Sequence, residues 1–377
     1  MELLGKSAEE LRDYCVSLGE PAYRGGQIYH AFYRERNFDL AGMTNLPQAL
    51  RDKLAQEATV TLPRVTERYV SSDGSVRYLL GLTAGAKPAS VEAVFMPSER
   101  RQTVCISTQA GCAVDCQFCL TAQLGLIRNL TASEIIAQVL LPLKEMAKTK
   151  PASERTGFVT DADDNPGEAG DAVQTNVVLM GQGEPLLNLE NVLDALRILL
   201  DPKGVGLSPK RVTLSTSGIV PGIERLAKEE VRPKLAISLN ASNDEQRERL
   251  MPINRKYPLK MLMDACRKYP LRTWEHITFE YVMLGGVNDS VDDAKRVAKL
   301  LAPLKSVKVN LIPWNPGELP YKESSEARIE SFRKILVDRE TPTFIRYSRG
   351  RDVMAACGQL ALLELKNPAL VVLPRTN

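Results

Sequence analysis

From residue 103 onward the chain repeats one unit, an apolar strand followed by a polar loop and an amphipathic helix, and few folds accept that rhythm. The strand candidates are "VCIST", "NVVLMG", "RVTLST", "KLAISLN", "HITFEYVML" and "VKVNLIPW". Between them the sequence predicts helices starting near Thr131 (with Glu134 three residues on as a capping partner), Leu189, Pro221, Ser242 or Pro258, and Ser290. Strands that are apolar almost throughout have no water-facing side, so they belong in a parallel sheet covered by helices. Six such units are too few for an eight-stranded barrel and suit an open or partial one. In such a sheet the loops after the C-terminal strand ends gather the functional groups.

The rest of the chain reads differently. Ser7 and Glu10 predict a capping box at a first helix, and "GGQIYHAFY" and "LPQALRDKLAQEA" read as two more. "ERYVSSDGSVRYLLGL" reads as a hairpin turning at Asp73–Gly74, and "SVEAVFMP" as another strand. Residues 151–175 break the rhythm: they carry six acids against one arginine and few apolar side chains, which predicts a mobile surface insertion.

Composition narrows the function. Of 377 residues, 44% are hydrophobic and 25% charged, the balance of an ordinary soluble protein. No apolar run approaches the ~18 residues a membrane span needs, and the N-terminus becomes charged too early for a secretory signal. These features predict a cytoplasmic protein. The net charge is only +3, so a nucleic-acid surface has to be a local patch. With only His30 and His276, far apart in sequence, a hydrolase built on a histidine base is excluded as a reading.

Four of the seven cysteines, Cys105, Cys112, Cys116 and Cys119, fall within fifteen residues. In a reducing compartment that clustering favours a metal or redox site over disulfides. Three thiolates at Cys112, Cys116 and Cys119 repel one another and need a cation, and soft sulfur ligands select zinc, copper(I) or an iron–sulfur cluster. A four-iron cluster on three thiolates keeps one iron open for another ligand; a zinc ion completed by Cys105 or a distant residue is the alternative. After the second strand, "MGQGEPLLN" offers glycines for close backbone approach and Glu184 as an acceptor for a cationic amine, although a strand-to-helix turn alone needs no ligand. Cys15 and Cys266 sit in helical runs and read as structural, and Cys105 and Cys357 could each be small core residues. Beside Val91 and Val94, Glu92 reads from pattern alone as an outward-facing surface carboxylate. "RNL", "RYSRGR" and "SNDEQRERL" read as solvated charge, although Arg346, Arg349 and Arg351 suit phosphate contacts beside Cys357.

The cysteine spacing, with Phe118 before the third cysteine, resembles that of the radical S-adenosylmethionine (SAM) superfamily. More specifically, "VEAVFMP", "CISTQAGCAVDCQFCLTAQLGLIRNL", "MGQGEPLLN", "LSTSG", "IPWNP" and "RGRDVMAACGQL" resemble, in that order, the RNA adenine carbon-2 methyltransferase (RlmN-type) family over essentially the whole chain. The resemblance implies an α/β fold, a partial (β/α)6 radical SAM barrel at 103–342 with the insertion at 151–175. It also implies a helical, RNA-binding accessory domain at 1–60, a hairpin and strand region at 61–102, and a C-terminal segment at 343–377 carrying a methyl-carrier cysteine.

By the same resemblance, Cys112, Cys116 and Cys119 hold one 4Fe–4S cluster. Gly183, Glu184, Ser215, Ser238, Leu239, Asn240 and Asn315 hold SAM, of which two molecules are used per turnover. Cys357 carries the methyl group, Cys105 forms a transient disulfide with it, and Glu92 is the general base. The implied substrates are 23S ribosomal RNA and adenine 37 of transfer RNAs, with an electron donor such as flavodoxin or ferredoxin and a monomeric enzyme. Carbon 2 of adenine is electrophilic, so methylation there needs a radical route, a methylene on Cys357 adding to the ring and Cys105 releasing the product. The sibling that methylates carbon 8 of the same ribosomal adenine shares this machinery, and a non-catalytic zinc RNA-binding protein is the alternative from another class. One departure concerns Asn240, where the family commonly has histidine.

Overall fold

The alternation of apolar runs is realised as one ten-stranded sheet whose strands follow each other in chain order. The computed structural model describes residues 1–83, 87–149 and 174–360. The insertion expected at 151–175 therefore lies outside the described residues except for its last two. Four antiparallel neighbours begin the sheet: β1 (Arg64–Val70), β2 (Val76–Leu82), β3 (Ala89–Met96) and β4 (Arg101–Cys105). From β4 onward every pairing is parallel, through β7 (Gln174–Leu179), β8 (Val212–Thr216), β9 (Lys234–Ser238), β10 (Ile277–Met283), β11 (Val307–Pro313) and β12 (Thr343–Ile345). All six expected strands are present. The short edge strand β12 is an addition, and among the described residues no pairing joins it back to β1, so the sheet is open. A separate two-stranded ribbon, β5 (Gln109–Gly111) with β6 (Leu126–Asn129), brackets the cysteine loop and the short helix α4 (Leu120–Gln123).

Helices start where the chain supplies caps. The N-terminal helices α1 (Ala8–Ser17), α2 (Tyr23–His30) and α3 (Gln48–Glu57) precede the sheet. Ser7 and Glu10 satisfy each other's backbone N–H groups at the start of α1. Thr131 and Glu134 do the same before α5 (Ala132–Thr149), as Ser290 and Asp293 do before α10 (Val291–Leu301). Each such cap contributes about 1 kcal/mol. The crossovers between parallel strands are completed by α6 (Leu189–Leu200), α7 (Val220–Leu226), α8 (Asp244–Leu250), α9 (Leu259–Lys268) and α11 (Glu326–Val337). Both starts offered by the sequence between β9 and β10 are used, one for α8 and one for α9. No helix among the described residues is long and apolar enough to cross a membrane.

Alternation along the strands divides the sheet into two faces. Val104, Val177, Leu214, Leu235, Phe279 and Val309 point to the outer face, where they join the main helix-covered core. Cys15 and Cys266 are buried in that same core, as expected for structural thiols. The inner face is polar in comparison. Val94 and Cys105 pair across β3 and β4 there, and Val353, Ala355 and Leu360 of the C-terminal segment pack over them. The fold thus lays one polar sheet face under the segment that carries Cys357.

Candidate active site

The three loop cysteines meet the strand ends around a cavity of about 170 Å³ on the inner face. Cys112, Cys116 and Cys119 form one wall, Gly183 and Glu184 a second, and Ser215, Ser238 and Asn240 a third. Cys357 and Gly358 close it from the C-terminal segment, which is bound to the cysteine loop by the Leu120 N–H donating to the Gly358 carbonyl at 2.8 Å. Positions from Cys112 to Gly358 therefore share one chamber, at the C-terminal ends of the parallel strands.

Local structure explains each wall. Gly183 has φ +99°, and a Cβ there would stand 2.6 Å from Gln109, so no other residue fits. Glu184 is buried. Its Oε2 accepts from the Ser217 N–H at 2.7 Å and hydroxyl at 2.8 Å, and its Oε1 from the Leu186 N–H at 3.0 Å. Burial raises its pKa, and those hydrogen bonds offset part of the rise. Asn240 has φ +54°, a left-handed conformation that asparagine tolerates better than most residues. Its Oδ1 accepts from Val282 N–H at 2.8 Å, so the side chain ties β9 to β10. The departure from histidine thus has a local structural use. Leu239 does not line the cavity; its side chain is in the outer core, and only its backbone faces neighbours of the site. Asn315 lines an adjoining smaller cavity and donates to Ser348 Oγ at 2.9 Å and to the Cys357 carbonyl at 3.1 Å.

The cysteines fit a polynuclear cluster. All three thiols line one wall of the cavity, close enough to raise one another's pKa, with room beside them for a group larger than a single ion. Burial, only partly offset by the N–H groups of Val114 and Gly183, pushes the Cys112 thiol up to about 12. Cys116 is raised well above its ordinary value by burial and then by its cysteine neighbours. Without a cation these thiols stay protonated; a cluster supplies the charge that makes them thiolates. Sequence reasoning missed one contributor. Arg247 of α8, read as solvated, is wholly buried and donates to the carbonyls of Ser217 at 2.6 Å, Ser238 at 3.1 Å and Leu239 at 3.2 Å. Burial lowers its pKa to about 10, and the field of Cys116 counters that shift. It is a fixed cation behind the thiols that also holds the strand ends together.

The remaining expected residues stand apart from the cavity wall. Glu92 is not the surface carboxylate its pattern suggests. It is buried on the inner face, because its position in β3 has the same parity as Val94, opposite Cys105. Arg77 meets it at 2.5 Å and stacks over Tyr69 at 4.3 Å, and Gln182 donates to its other oxygen at 3.4 Å. Cys105 is buried at the end of β4, within the electrostatic reach of Cys357. Burial raises the Cys105 thiol, and the Cys357 thiol, though its residue keeps an exposed surface, is raised to about 11 by the desolvating walls around it, with Glu280 and Cys119 adding to the rise. The expected disulfide is not present: all seven cysteines are free. Glu280 was also missed. It lines the cavity from β10, and Asn310 donates to it at 3.0 Å. A lone acid inside the apolar run "ITFEYVM" was the available signal. Arg349 and Arg351 are tied to Asp73 at 3.4 Å and Glu323 at 3.3 Å, so of the three arginines read as phosphate contacts only Arg346 lacks a carboxylate partner among the described residues.

Comparison with known proteins agrees with this geometry. Residues 106–301 match the family model of the radical SAM superfamily, and residues 1–60 match that of the ribosomal RNA large subunit methyltransferase N-terminal domain. A Koribacter versatilis protein named "Probable dual-specificity RNA methyltransferase RlmN" is 47% identical, over 92% of this chain and 98% of its own. The Geobacter sulfurreducens dual-specificity RNA methyltransferase RlmN is 43% identical, over 96% of this chain and 92% of its own. A crystal structure of a radical SAM methyltransferase from Sphaerobacter thermophilus superposes with a TM-score of 0.84 at 40% identity, covering 96% of this chain and 99% of that one.

Proposed function

Because this chain belongs to the dual-specificity RNA methyltransferase RlmN family of the radical SAM superfamily, we propose that it methylates carbon 2 of an adenine in 23S ribosomal RNA and of adenine 37 in transfer RNAs. The observation that carries this reading is the convergence of two further thiols, Cys105 and Cys357, on the sheet face whose cavity is walled by Cys112, Cys116 and Cys119. A cluster and SAM in that cavity supply methyl groups and the one-electron chemistry that an electrophilic ring carbon requires.

The chain's own residues divide the remaining work. Cys357 offers its sulfur as methyl carrier at the cavity edge, held there by Asn315 through its carbonyl. Once carbon 2 is bonded to that carbon, RNA and protein are joined through a thioether. Glu92, facing the Arg77 guanidinium, takes the ring proton. The Cys105 thiolate then attacks the Cys357 sulfur; the S–S bond forms, the C–S bond breaks, and its electron pair leaves on the methyl carbon, which takes a proton. Glu184, Ser215, Ser238 and Asn240, with the Gly183 backbone, make the polar cradle for SAM, and Asn315 secures the neighbouring turn. On the same reading two SAM molecules serve one turnover, an electron carrier such as flavodoxin or ferredoxin supplies the electron, and the enzyme works as a cytoplasmic monomer.

Mass spectrometry of RNA after an anaerobic reaction tests this. Methyladenosine digested from 23S RNA should carry the methyl on carbon 2. A methyl on carbon 8 would assign the sibling activity, and unmodified RNA from iron-loaded, SAM-binding protein would reject the reading.

A further inference from the structure

Around the cavity the inner face turns basic, from the N-terminal ends of β8, β9 and β11 below it to the C-terminal end of β12 beside it. Strand register puts Ser215, Ala236, Thr278 and Lys308 in one row across β8 to β11, and Ser238, Glu280, Asn310 and Phe344 in the next across β9 to β12. Ser215, Ser238 and Glu280 line the cavity, so Lys308 and Phe344 share their face. Lys234 precedes Ala236 by two residues and has the same orientation. Arg346 follows Phe344 by two and continues the ladder, its N–H donating to the Leu311 carbonyl at 2.8 Å. Arg211 precedes Thr213, the pairing partner of Lys234, by two.

Lys234, Lys308 and Arg346 thus face one side, Arg211 at the foot of β8 is close enough to act on Lys234, and among the described residues none of the four has a carboxylate within 4.0 Å. Glu275 faces Arg232 at 3.8 Å and Arg272 at 3.7 Å and acts on Lys234 from further off, and Glu280, bonded to Asn310, acts at a distance on both Lys308 and Arg346, so the cations outnumber the carboxylates that reach them. Lys234 and Lys308 are only half exposed, so water compensates them poorly. Burial, followed by the like charges of Lys308 and Arg211, brings Lys234 down to about 8. Phe344 is 49% exposed on this face, with the Arg346 guanidinium 5.9 Å from its ring. An excess of cations without close carboxylate partners, beside an open aromatic ring, is the means by which proteins hold single-stranded nucleic acid, with phosphates on the cations and a base on the ring.

We propose that Arg211, Lys234, Lys308 and Arg346 take successive phosphates of a single-stranded RNA segment while Phe344 stacks a base beside the target, leading the target adenine along the inner face to Cys357. This rests on the RNA reading above and assigns the entry side of the substrate. The net charge of the whole chain, +3, is too small to attract RNA by itself, so a local set of this kind is required.

The test is fluorescence anisotropy of a hairpin RNA with an unpaired adenine in its loop, bound to the cluster-loaded enzyme across a salt series. The double variant K308Q/R346Q should bind about tenfold more weakly, and its slope of log affinity against log salt should shrink by about 1.4, roughly 0.7 per lost contact to single-stranded phosphate. Phe344→Ala should weaken binding with the slope unchanged. Iron content and SAM binding should be those of the parent enzyme, since none of these side chains lines the cavity. Arg346 is exposed, so R346Q alone keeps the test valid if the double variant does not fold; its slope should fall by about 0.7. Parental affinity and slope in folded R346Q and K308Q/R346Q, with the parent enzyme methylating RNA, would overturn the entry site alone. A parent enzyme that neither binds nor methylates RNA would overturn the functional reading with it.

Discussion

Cys105 and Cys357 are both free thiols raised above the ordinary value, one buried and one exposed, and their surroundings assign them different tasks. Cys357 is at the cavity edge with Ser348, Glu280 and Cys119 around its sulfur, where it can be loaded. Cys105 is packed beneath the C-terminal segment, with its sulfur bonded by the Met180 N–H, where it meets only a sulfur brought to it. Their substitutions should therefore fail at different stages. Cys357→Ala should give neither adduct nor product, whereas Cys105→Ala should accumulate RNA that stays on the protein in a denaturing gel. Free methylated RNA at the parental rate from Cys105→Ala would remove its releasing role. The pH behaviour has a definite sign as well. With Cys357 at about 11, its thiolate fraction climbs about tenfold per pH unit from 7 to 10, so alkylation of metal-free protein by iodoacetamide should climb likewise. Replacing the Glu280 charge with Gln should lower that pKa and speed alkylation at any fixed pH in the range. An unchanged rate would mean the carboxylate does not act on the thiol.

Between residues and fold, the β1–β2 turn acts as a clasp on the C-terminal segment. Asp73 accepts from the Gly350 N–H at 3.0 Å and pairs with Arg349, while Asp352 accepts from Ser71 Oγ at 2.5 Å and Ser72 N–H at 2.9 Å. For both acids burial acts to raise the pKa, but hydrogen bonds outweigh it and the net shift is downward. Groups depressed in the folded state stabilise it above their unfolded pKa, near 3.9, and lose that contribution as pH falls through the folded value. Protection factors of the amides in 349–357, corrected for the intrinsic exchange rate at each pH, should thus fall below about pH 4, and at neutral pH in Asp73→Ala, at a cost of about 1–2 kcal/mol. Equal protection in the variant would show that the clasp does not hold the Cys357 segment. This pairing was not legible in the sequence, since Asp73–Gly74 announces a turn but not what the turn grips. The legible features were local: apolar runs gave β4 and β7 to β11, and the Ser7–x–x–Glu10 and Thr131–x–x–Glu134 patterns gave the starts of α1 and α5. The three-residue strand β12 has too short a run to register. The orientation of Glu92 and the burial of Arg247 depend on which sheet face a neighbouring strand presents, and one strand's own alternation does not contain that.

At the scale of the whole molecule, the helices before the sheet share its core. Leu3, Leu11, Phe32, Tyr33, Leu50 and Leu54 of the first sixty residues belong to the same continuous core as Ile135, Leu179 and Phe279. Polar ties reinforce the junction: Tyr29 donates to Asp201 at 2.8 Å, and a Cβ on Gly5 would meet the Ser133 backbone at 2.6 Å, so the two parts touch main chain to main chain. Removing residues 1–60 would expose the partners of several large apolar side chains, each contributing about 1.5–3 kcal/mol by its burial. For the six named, that total is about 9–18 kcal/mol, the same size as the 5–15 kcal/mol by which an ordinary domain is stable. The 61–377 fragment should therefore aggregate or stay unfolded, and the intact chain should melt in one calorimetric transition covering both parts. Substituting Gly5 by Val, a far smaller change, should lower the melting temperature of the entire molecule, because the strain falls on the seam. Two separated transitions, or a soluble 61–377 fragment that retains its iron, would show that the first sixty residues fold and dock as a separate unit.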